Sequence, residues 1–376
     1  MRHKTFSIIA TLLLLMITSC RKKPDAQQLR NALINSTLVN FQQAMYAAKM
    51  DSVFSKYDFN GSISVFQDGN LLYEKQQGFE DFKQKTTIDS STVFAIASLS
   101  KQFTAVLILL QQEEGKLSVN DKVSTYLADF QNITYQDITV HQLLTHTSGI
   151  SDFGNGLLSK PGEKFSYSNK GYRFLGELIE EVSGRSFDEN AAELFAKAGM
   201  HHTFTPKTFD NQNFGSAYTG NAAQYSIVEN MPARLAENSI STSAGGILST
   251  VNDLNRWNLA LFGGKILKPE SLKLLTKKYA SREHEILGNV GYGYGIMLNL
   301  TAPEAFFHTG YVKGSPSLNI FYPKTKTSVI ILSNIADERK SKNGFFQPHK
   351  EMKTAADAVE LAAEKVRSEM IKKVAQ

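Results

Sequence analysis

Apolar residues at Leu29, Leu33, Leu38, Phe41 and Met45 are scattered through polar neighbours across residues 25–50, a spacing that predicts an amphipathic helix. Residues 62–67 and 71–77 read as two strands around Asp68-Gly69, a strong hairpin signal. The pattern changes to a helix over 98–114, closed by Gly115. Further helical runs fall at 141–145, 170–183 and 188–197, between loops rich in Gly, Asn and Ser. Strands follow at 305–309 and 317–322, and the apolar run 327–333 predicts a buried one. An Ala- and Glu-rich stretch, 353–370, predicts a terminal helix. Helices and strands at both ends with helices between them predict an α+β fold: an α/β subdomain from about 25–95 and 250–376, and a mostly helical insert from about 96–249. No internal repeat or low-complexity segment interrupts it.

Composition narrows the function classes. The chain has 376 residues, of which 42% are hydrophobic, enough for a large core. A net charge of +5 from 41 basic and 36 acidic residues excludes a nucleic-acid binder held by bulk charge. One cysteine excludes a disulfide framework and a thiolate metal site within the chain. That cysteine has a telling position. Arg2 and Lys4 precede the apolar run Phe6–Ile17, which is too short to span a bilayer and suits a signal peptide. The run ends Ile17-Thr18-Ser19-Cys20, which resembles a bacterial lipobox, so residues 1–19 are expected to be removed and Cys20 lipidated. The alternative is an ordinary signal peptide with Cys20 incidental. Residues 20–24 would be a tether, with Arg21-Lys22-Lys23 a solvated linker or a contact with anionic headgroups. The body is then expected to be membrane-anchored, facing the periplasm or cell exterior, and monomeric by default.

Three motifs carry chemistry. Ser98-Leu99-Ser100-Lys101 is an S-x-x-K; on a helix, residues three apart share a face, so the Lys101 amine can reach the Ser98 hydroxyl. A serine hydroxyl needs a base before it becomes a good nucleophile. A helix start adds backbone N–H donors for an oxyanion. Taken alone, Ser98 is equally a helix cap. Tyr167-Ser168-Asn169 is the one Y-x-N in the chain. A phenol beside an ammonium can serve as a base, and an asparagine can orient a lysine and bind a carbonyl; taken alone, the pair is a buried tyrosine and a loop asparagine. His308-Thr309-Gly310 sits on a predicted strand. An edge strand there can pair with an extended acyl substrate, and Gly310 allows close backbone approach, leaving the Tyr311 N–H as a second oxyanion donor. Taken alone, His308 is a structural histidine.

The ordered set S-x-x-K, Y-x-N, H-T-G resembles the serine β-lactamase and penicillin-binding-protein superfamily, in its class C branch. The run Ile138–Ile150 (ITVHQLLTHTSGI), the stretch Phe165–Asn169 with Gly171-Tyr172, and Ala244-Gly245-Gly246-Ile247-Leu248-Ser249-Thr250 with Asp253-Leu254 are similar to further segments of that branch. The resemblance spans roughly residues 60–335. It implies a β-lactamase/transpeptidase-like fold, an antiparallel sheet flanked by terminal helices with an inserted all-α domain. It implies Ser98 as the acylated nucleophile, Lys101 as its proton partner, and Tyr167 as acylation base and leaving-group acid. Asn169 would orient Lys101 and contact the substrate amide, and His308 and Thr309 would recognise a substrate carboxylate. The N–H groups of Ser98 and Tyr311 would form the oxyanion hole. The implied reaction is acyl transfer and hydrolysis on a small molecule or peptide, without metal or organic cofactor.

One departure shapes the expectation. Many relatives carry Lys-Thr-Gly where this chain has His308, and a histidine near its reference value is mostly neutral at pH 7. Carboxylate recognition then needs another cation, Lys313 or Arg282. Within the family, histidine here accompanies D,D-peptidases, D-amino-acid peptidases and esterases, so a D-amino-acid or cell-wall peptide is expected ahead of efficient lactam hydrolysis. A true class C β-lactamase, a small-ester esterase and a non-catalytic binding lipoprotein are the alternatives. His201-His202 lacks ligand-like spacing for zinc. His146 reads as structural, Trp257 as core, and Tyr292-Gly293-Tyr294-Gly295 equally as site rim or sheet packing.

Overall fold

A computed structural model describes residues 25–235 and 241–374. The expected signal peptide and tether, with Cys20, lie outside the described residues. At the N-terminal end, Asp25 accepts from the Gln28 N–H, and the Gln28 side chain returns the bond, capping the long helix α1 (Ala26–Tyr57). β1 (Gly61–Gln67) and β2 (Asn70–Gln77) follow as a hairpin, with Asp68 and Gly69 both at positive φ, as a two-residue turn of this hand requires. The chain then leaves the sheet through helices α2 (Ser100–Glu113), α3 (Val140–Leu144), α4 (Asn169–Ser183), α5 (Phe187–Ala198), α6 (Val251–Phe262) and α7 (Pro269–Thr276). It returns as β3 (Ala280–His284), β4 (Gly288–Tyr292), β5 (Met297–Asn299), β6 (Ala305–Val312), β7 (Ser315–Tyr322) and β8 (Thr327–Ser333), and closes with α8 (Gln347–Val374).

The eight strands form one antiparallel sheet in the order β2-β1-β8-β7-β6-β5-β4-β3. Its two faces are dry. In β8, Val329 and Ile331 pack with Tyr46, Met50 and Phe54 of α1 and with Met352 and Val359 of α8. Ile330 and Leu332, pointing the other way, join the helical core with Phe103, Leu254 and Trp257. A strand covered on both faces needs a continuous apolar run, which is what 327–333 supplies. Trp257 is fully buried, and its indole N–H donates to Gln102. The expected α+β architecture, an antiparallel sheet flanked by terminal helices with further helices inserted, is therefore present, and the seam between sheet and helices is where the three motifs meet. Among the described residues no helix is long and apolar enough to cross a membrane.

Candidate active site

Residues 94–95 pair with 248–249, and this short ladder aims the chain into a tight turn before α2. Ala97 lies at φ 52°, a left-handed conformation unusual for alanine. The strain is held by neighbours: Ser100 Oγ donates to the Ala97 carbonyl at 2.6 Å and accepts from the Ile247 N–H at 3.0 Å. Ser98 follows on a single 3-10 turn, Ala97–Leu99, and remains partly accessible. Lys101, one turn on, is fully buried. Its amine lies 3.3 Å from Ser98 Oγ, 2.9 Å from Asn169 Oδ1 and 2.6 Å from the Ala244 carbonyl. Three acceptors match the three hydrogens of an ammonium. Burial holds the Lys101 amine below the ordinary lysine range; Tyr167 and Asp152 offset part of this, and Arg282 adds to it.

Tyr167 stands over the same amine, with Lys101 Nζ 4.9 Å from its ring centre. The His146 ring centre lies 4.3 Å from that of Tyr167. The structure thus gathers Ser98, Lys101, Tyr167 and Asn169 around one point.

β6 forms the far wall. β5 pairs with it only at Ala305, Phe306 and Phe307, so from His308 onward β6 is bonded to β7 alone. Lys313 and Gly314 make a two-residue turn, which makes Val312–Ser315 a hydrogen-bonded pair, and Pro316 has no N–H to give Tyr311. Both facts turn the N–H groups of Thr309 and Tyr311 to the open edge. Gly310 lets this edge reach the Ser98 turn: a Cβ here would stand 2.4 Å from the Ile96 carbonyl oxygen and 3.1 Å from Ala97 Cβ. The Ser98 and Tyr311 N–H groups are therefore brought to one neighbourhood.

His308 departs from the expectation. It is wholly buried, and its hydrogen bonds form a chain whose direction is forced. The Ser168 N–H donates to His146 Nδ1 at 3.1 Å, so His146 carries its hydrogen on Nε2 and donates to Tyr292 Oη at 3.1 Å. Tyr292 then donates to His308 Nε2 at 3.2 Å, and His308 Nδ1 donates to the Thr309 carbonyl at 2.6 Å. Burial, with Lys101 and Arg282 nearby, pushes both histidines well below the usual imidazole range, so both are neutral. A neutral histidine with both nitrogens engaged cannot attract a carboxylate by charge. Tyr292 and Tyr294 are likewise buried, in favour of sheet packing over a site rim.

The charge at this wall is Arg282, on edge strand β3. Its guanidinium carbon lies 4.5 Å from the centre of the Tyr167 ring, on a partly exposed side chain. Lys313, the other sequence candidate, is exposed on the β6–β7 turn. Thr309 accepts from His284 Nε2 at 3.0 Å; His284 Nδ1 faces the Ile286 N–H, and burial takes this ring down to about 3, so it too is neutral. The Thr309 hydroxyl keeps its own hydrogen to donate.

Sequence reading missed Asp152 and the role of Ala244. The latter sits on the turn Thr242–Gly246, which packs close to α4 because Gly176 leaves room there for the Ser243 side chain. Among the described residues no cluster of three or more His, Cys, Asp or Glu is placed to hold a metal.

The profile of the beta-lactamase family matches residues 46–345. The chain belongs to this family. Among curated relatives of this beta-lactamase-family protein is the putative penicillin-binding protein PbpX of Bacillus subtilis (strain 168), 29% identical over 311 residues, covering 78% of this chain and 75% of the relative. A penicillin-binding protein homologue from Pyrococcus abyssi superposes with a TM-score of 0.68 at 26% identity, over 77% of this chain and 73% of that one. D-amino acid amidase from Ochrobactrum anthropi SV3 shares the fold, with a TM-score of 0.70 at 20% identity over 86% and 99% of the two chains. This beta-lactamase-family protein is thus similar in sequence to penicillin-binding proteins.

Proposed function

We propose that this protein hydrolyses amide or ester bonds through an acyl-enzyme on Ser98. The observation that carries the reading is the buried Lys101 amine, held by Asn169 and Ala244 within reach of Ser98 Oγ. Ser98 gives its proton to the Lys101–Tyr167 pair as its oxygen attacks the carbonyl carbon. The resulting oxyanion faces the Ser98 and Tyr311 N–H groups. On collapse the leaving group takes a proton through Tyr167, and water then releases the acyl group from Ser98. A non-catalytic lipoprotein would have no chemical need for this intact arrangement.

For substrate, the reading is a D-amino-acid or cell-wall-type peptide bearing a carboxylate, bound by Arg282 and the Thr309 hydroxyl in place of His308. The neutral His308 stands against efficient lactam turnover. An address outside the cytoplasm, with Cys20 as lipid acceptor, fits such a substrate; a diacylated Cys20 in the mass spectrum of the mature N-terminal peptide is expected, and an unmodified cysteine contradicts it.

Hydrolysis rates on a D-Ala-D-Ala peptide, a chromogenic cephalosporin and a nitrophenyl ester test the reading. All turnover should vanish in Ser98→Ala; retained turnover removes the nucleophile. Arg282→Gln should raise KM for the carboxylate-bearing peptide about tenfold or more while changing KM for the neutral ester by less than about twofold, given ~1.5–3 kcal/mol for a charge-assisted hydrogen bond. Equal effects on both would refute the carboxylate role.

A further inference from the structure

Asp152 makes four hydrogen bonds to three consecutive residues around Asn169. Its Oδ1 accepts from Ser168 Oγ at 2.8 Å and from the Lys170 N–H at 2.9 Å. Its Oδ2 accepts from the Asn169 N–H at 3.1 Å and from Asn169 Nδ2 at 3.2 Å. The bonds from the Asn169 and Lys170 N–H groups cap α4 from outside, since N–H groups at a helix start have no partner within it. The fourth does something else. A carboxylate only accepts, so it fixes which end of the Asn169 amide faces it. Nδ2 must turn to Asp152, and Oδ1 is thereby left toward the Lys101 amine, 2.9 Å away. Lys170 closes the arrangement from behind, its amine donating to the Gly154 carbonyl at 2.7 Å and to Asn155 Oδ1 at 3.1 Å, which ties the Asp152 loop to the helix.

We infer that Asp152 is a positioning residue for the Ser98 chemistry: it sets the Asn169 amide, and through it the Lys101 amine, and supplies the negative charge behind that amine. The inference rests on the acyl-Ser98 reading above. The charges and titratable groups around Lys101 are Tyr167 and Tyr172, which lie under it, Arg282 on β3, and the neutral His146 and His308. Asp152 is the carboxylate among the groups acting on Lys101, and it favours the protonated amine. Its removal therefore has two separable consequences. The amide of Asn169 is free to rotate, which lowers the rate of acylation. The amine also loses a stabilising charge, which moves its titration to lower pH.

The test is steady-state kinetics on a nitrophenyl ester across pH, with folding followed by circular dichroism. In Asp152→Asn one pair of donors must face an amide N–H₂. The expected result is a kcat at least about tenfold lower, KM within about twofold, and the limb of the kcat profile set by Lys101 displaced to lower pH. Asp152→Ser, which keeps one acceptor and loses the charge, should displace the limb the same way. Asp152→Glu should recover part of the rate and return the limb. Ser168→Ala, which weakens the same helix cap and leaves the amide contact intact, should lower thermal stability with the limb unmoved. An unchanged kcat in Asp152→Asn, or a fall in rate and stability with no movement of the limb in either neutral variant, would overturn the inference. Wild-type turnover that does not depend on Ser98 would defeat the underlying reading instead, and Ser98→Ala measured alongside separates the two.

Discussion

At the scale of single residues, the site depends on one missing side chain. Gly310 is the residue that lets an open strand edge touch the turn carrying Ser98. Its substitution by alanine would drive a Cβ to 2.4 Å from the Ile96 carbonyl oxygen, against backbone that cannot swing aside. Gly310→Ala is therefore expected to part the Tyr311 N–H from the Ser98 turn. Acylation should fall about 100-fold or more, the scale of one lost oxyanion donor. Overpacking here should lower stability by about 1–3 kcal/mol. A rate near wild type in folded Gly310→Ala would remove Tyr311 from the oxyanion hole. Ser98, Lys101, Tyr167 and Asn169 were legible because their spacing is fixed by local geometry and by a strong motif order. Asp152 was not, because a helix cap supplied from 16 residues away leaves no periodic trace. His308 was misleading in the sequence for a related reason: its neighbours Tyr292 and His146 come from distant segments, and only their convergence makes it neutral and buried.

At the scale of elements, the sheet and the helical layer are pinned by a buried amide pair. Asn258 on α6 donates to Asn319 Oδ1 on β7 at 2.8 Å, and Asn319 returns the bond at 2.9 Å. Both side chains are buried between α6 and the sheet. Replacing one leaves the other unsatisfied, so Asn258→Leu is expected to destabilise by about 1–3 kcal/mol. The double variant Asn258→Leu/Asn319→Leu should recover part of that loss, since the orphaned amide goes with it. Urea denaturation of the three variants measures this; a double variant as unstable as the sum of the singles would contradict it. The elements themselves were readable where pattern and turn chemistry agreed. Asp68-Gly69 marks its hairpin, and β6, β7 and β8 fall on the predicted runs, β6 lengthened at its end, β7 at its start and β8 with the predicted bounds. Edge strand β3 and its neighbours β4 and β5 left no such signal. Sequences such as Ala280–His284 alternate exposed and half-buried positions and carry Arg282, Glu283 and His284. Such an edge resembles a loop until its partner strand is known. The helices Val251–Phe262 and Pro269–Thr276 likewise emerge only in the fold.

At the scale of the whole molecule, the histidines set a pH limit. His284 and His349 are buried and held down to about 3, His146 and His308 lie well below the usual range, and His141 is lowered as well, burial being the main cause in each. The unfolded chain, with imidazoles near ~6.5, takes up protons first as pH falls. Stability is thus fully present above about pH 6.5 and is lost on the way down toward pH 3. At pH 4.5, His284 and His349 should each account for roughly 3 kcal/mol of that loss. Denaturation midpoints between pH 7.5 and 4.5 should fall steeply, and a flat profile would contradict neutral, buried histidines.

The central claim is a covalent one: the acyl group is carried by Ser98. The most direct measurement is the intact mass of the protein quenched shortly after mixing with benzylpenicillin and, separately, with a nitrophenyl ester, followed by peptide mapping. An acyl adduct from at least one reagent on the peptide containing Ser98, absent in Ser98→Ala, is the predicted result. An adduct mapping elsewhere, or one that persists in Ser98→Ala, would contradict the account.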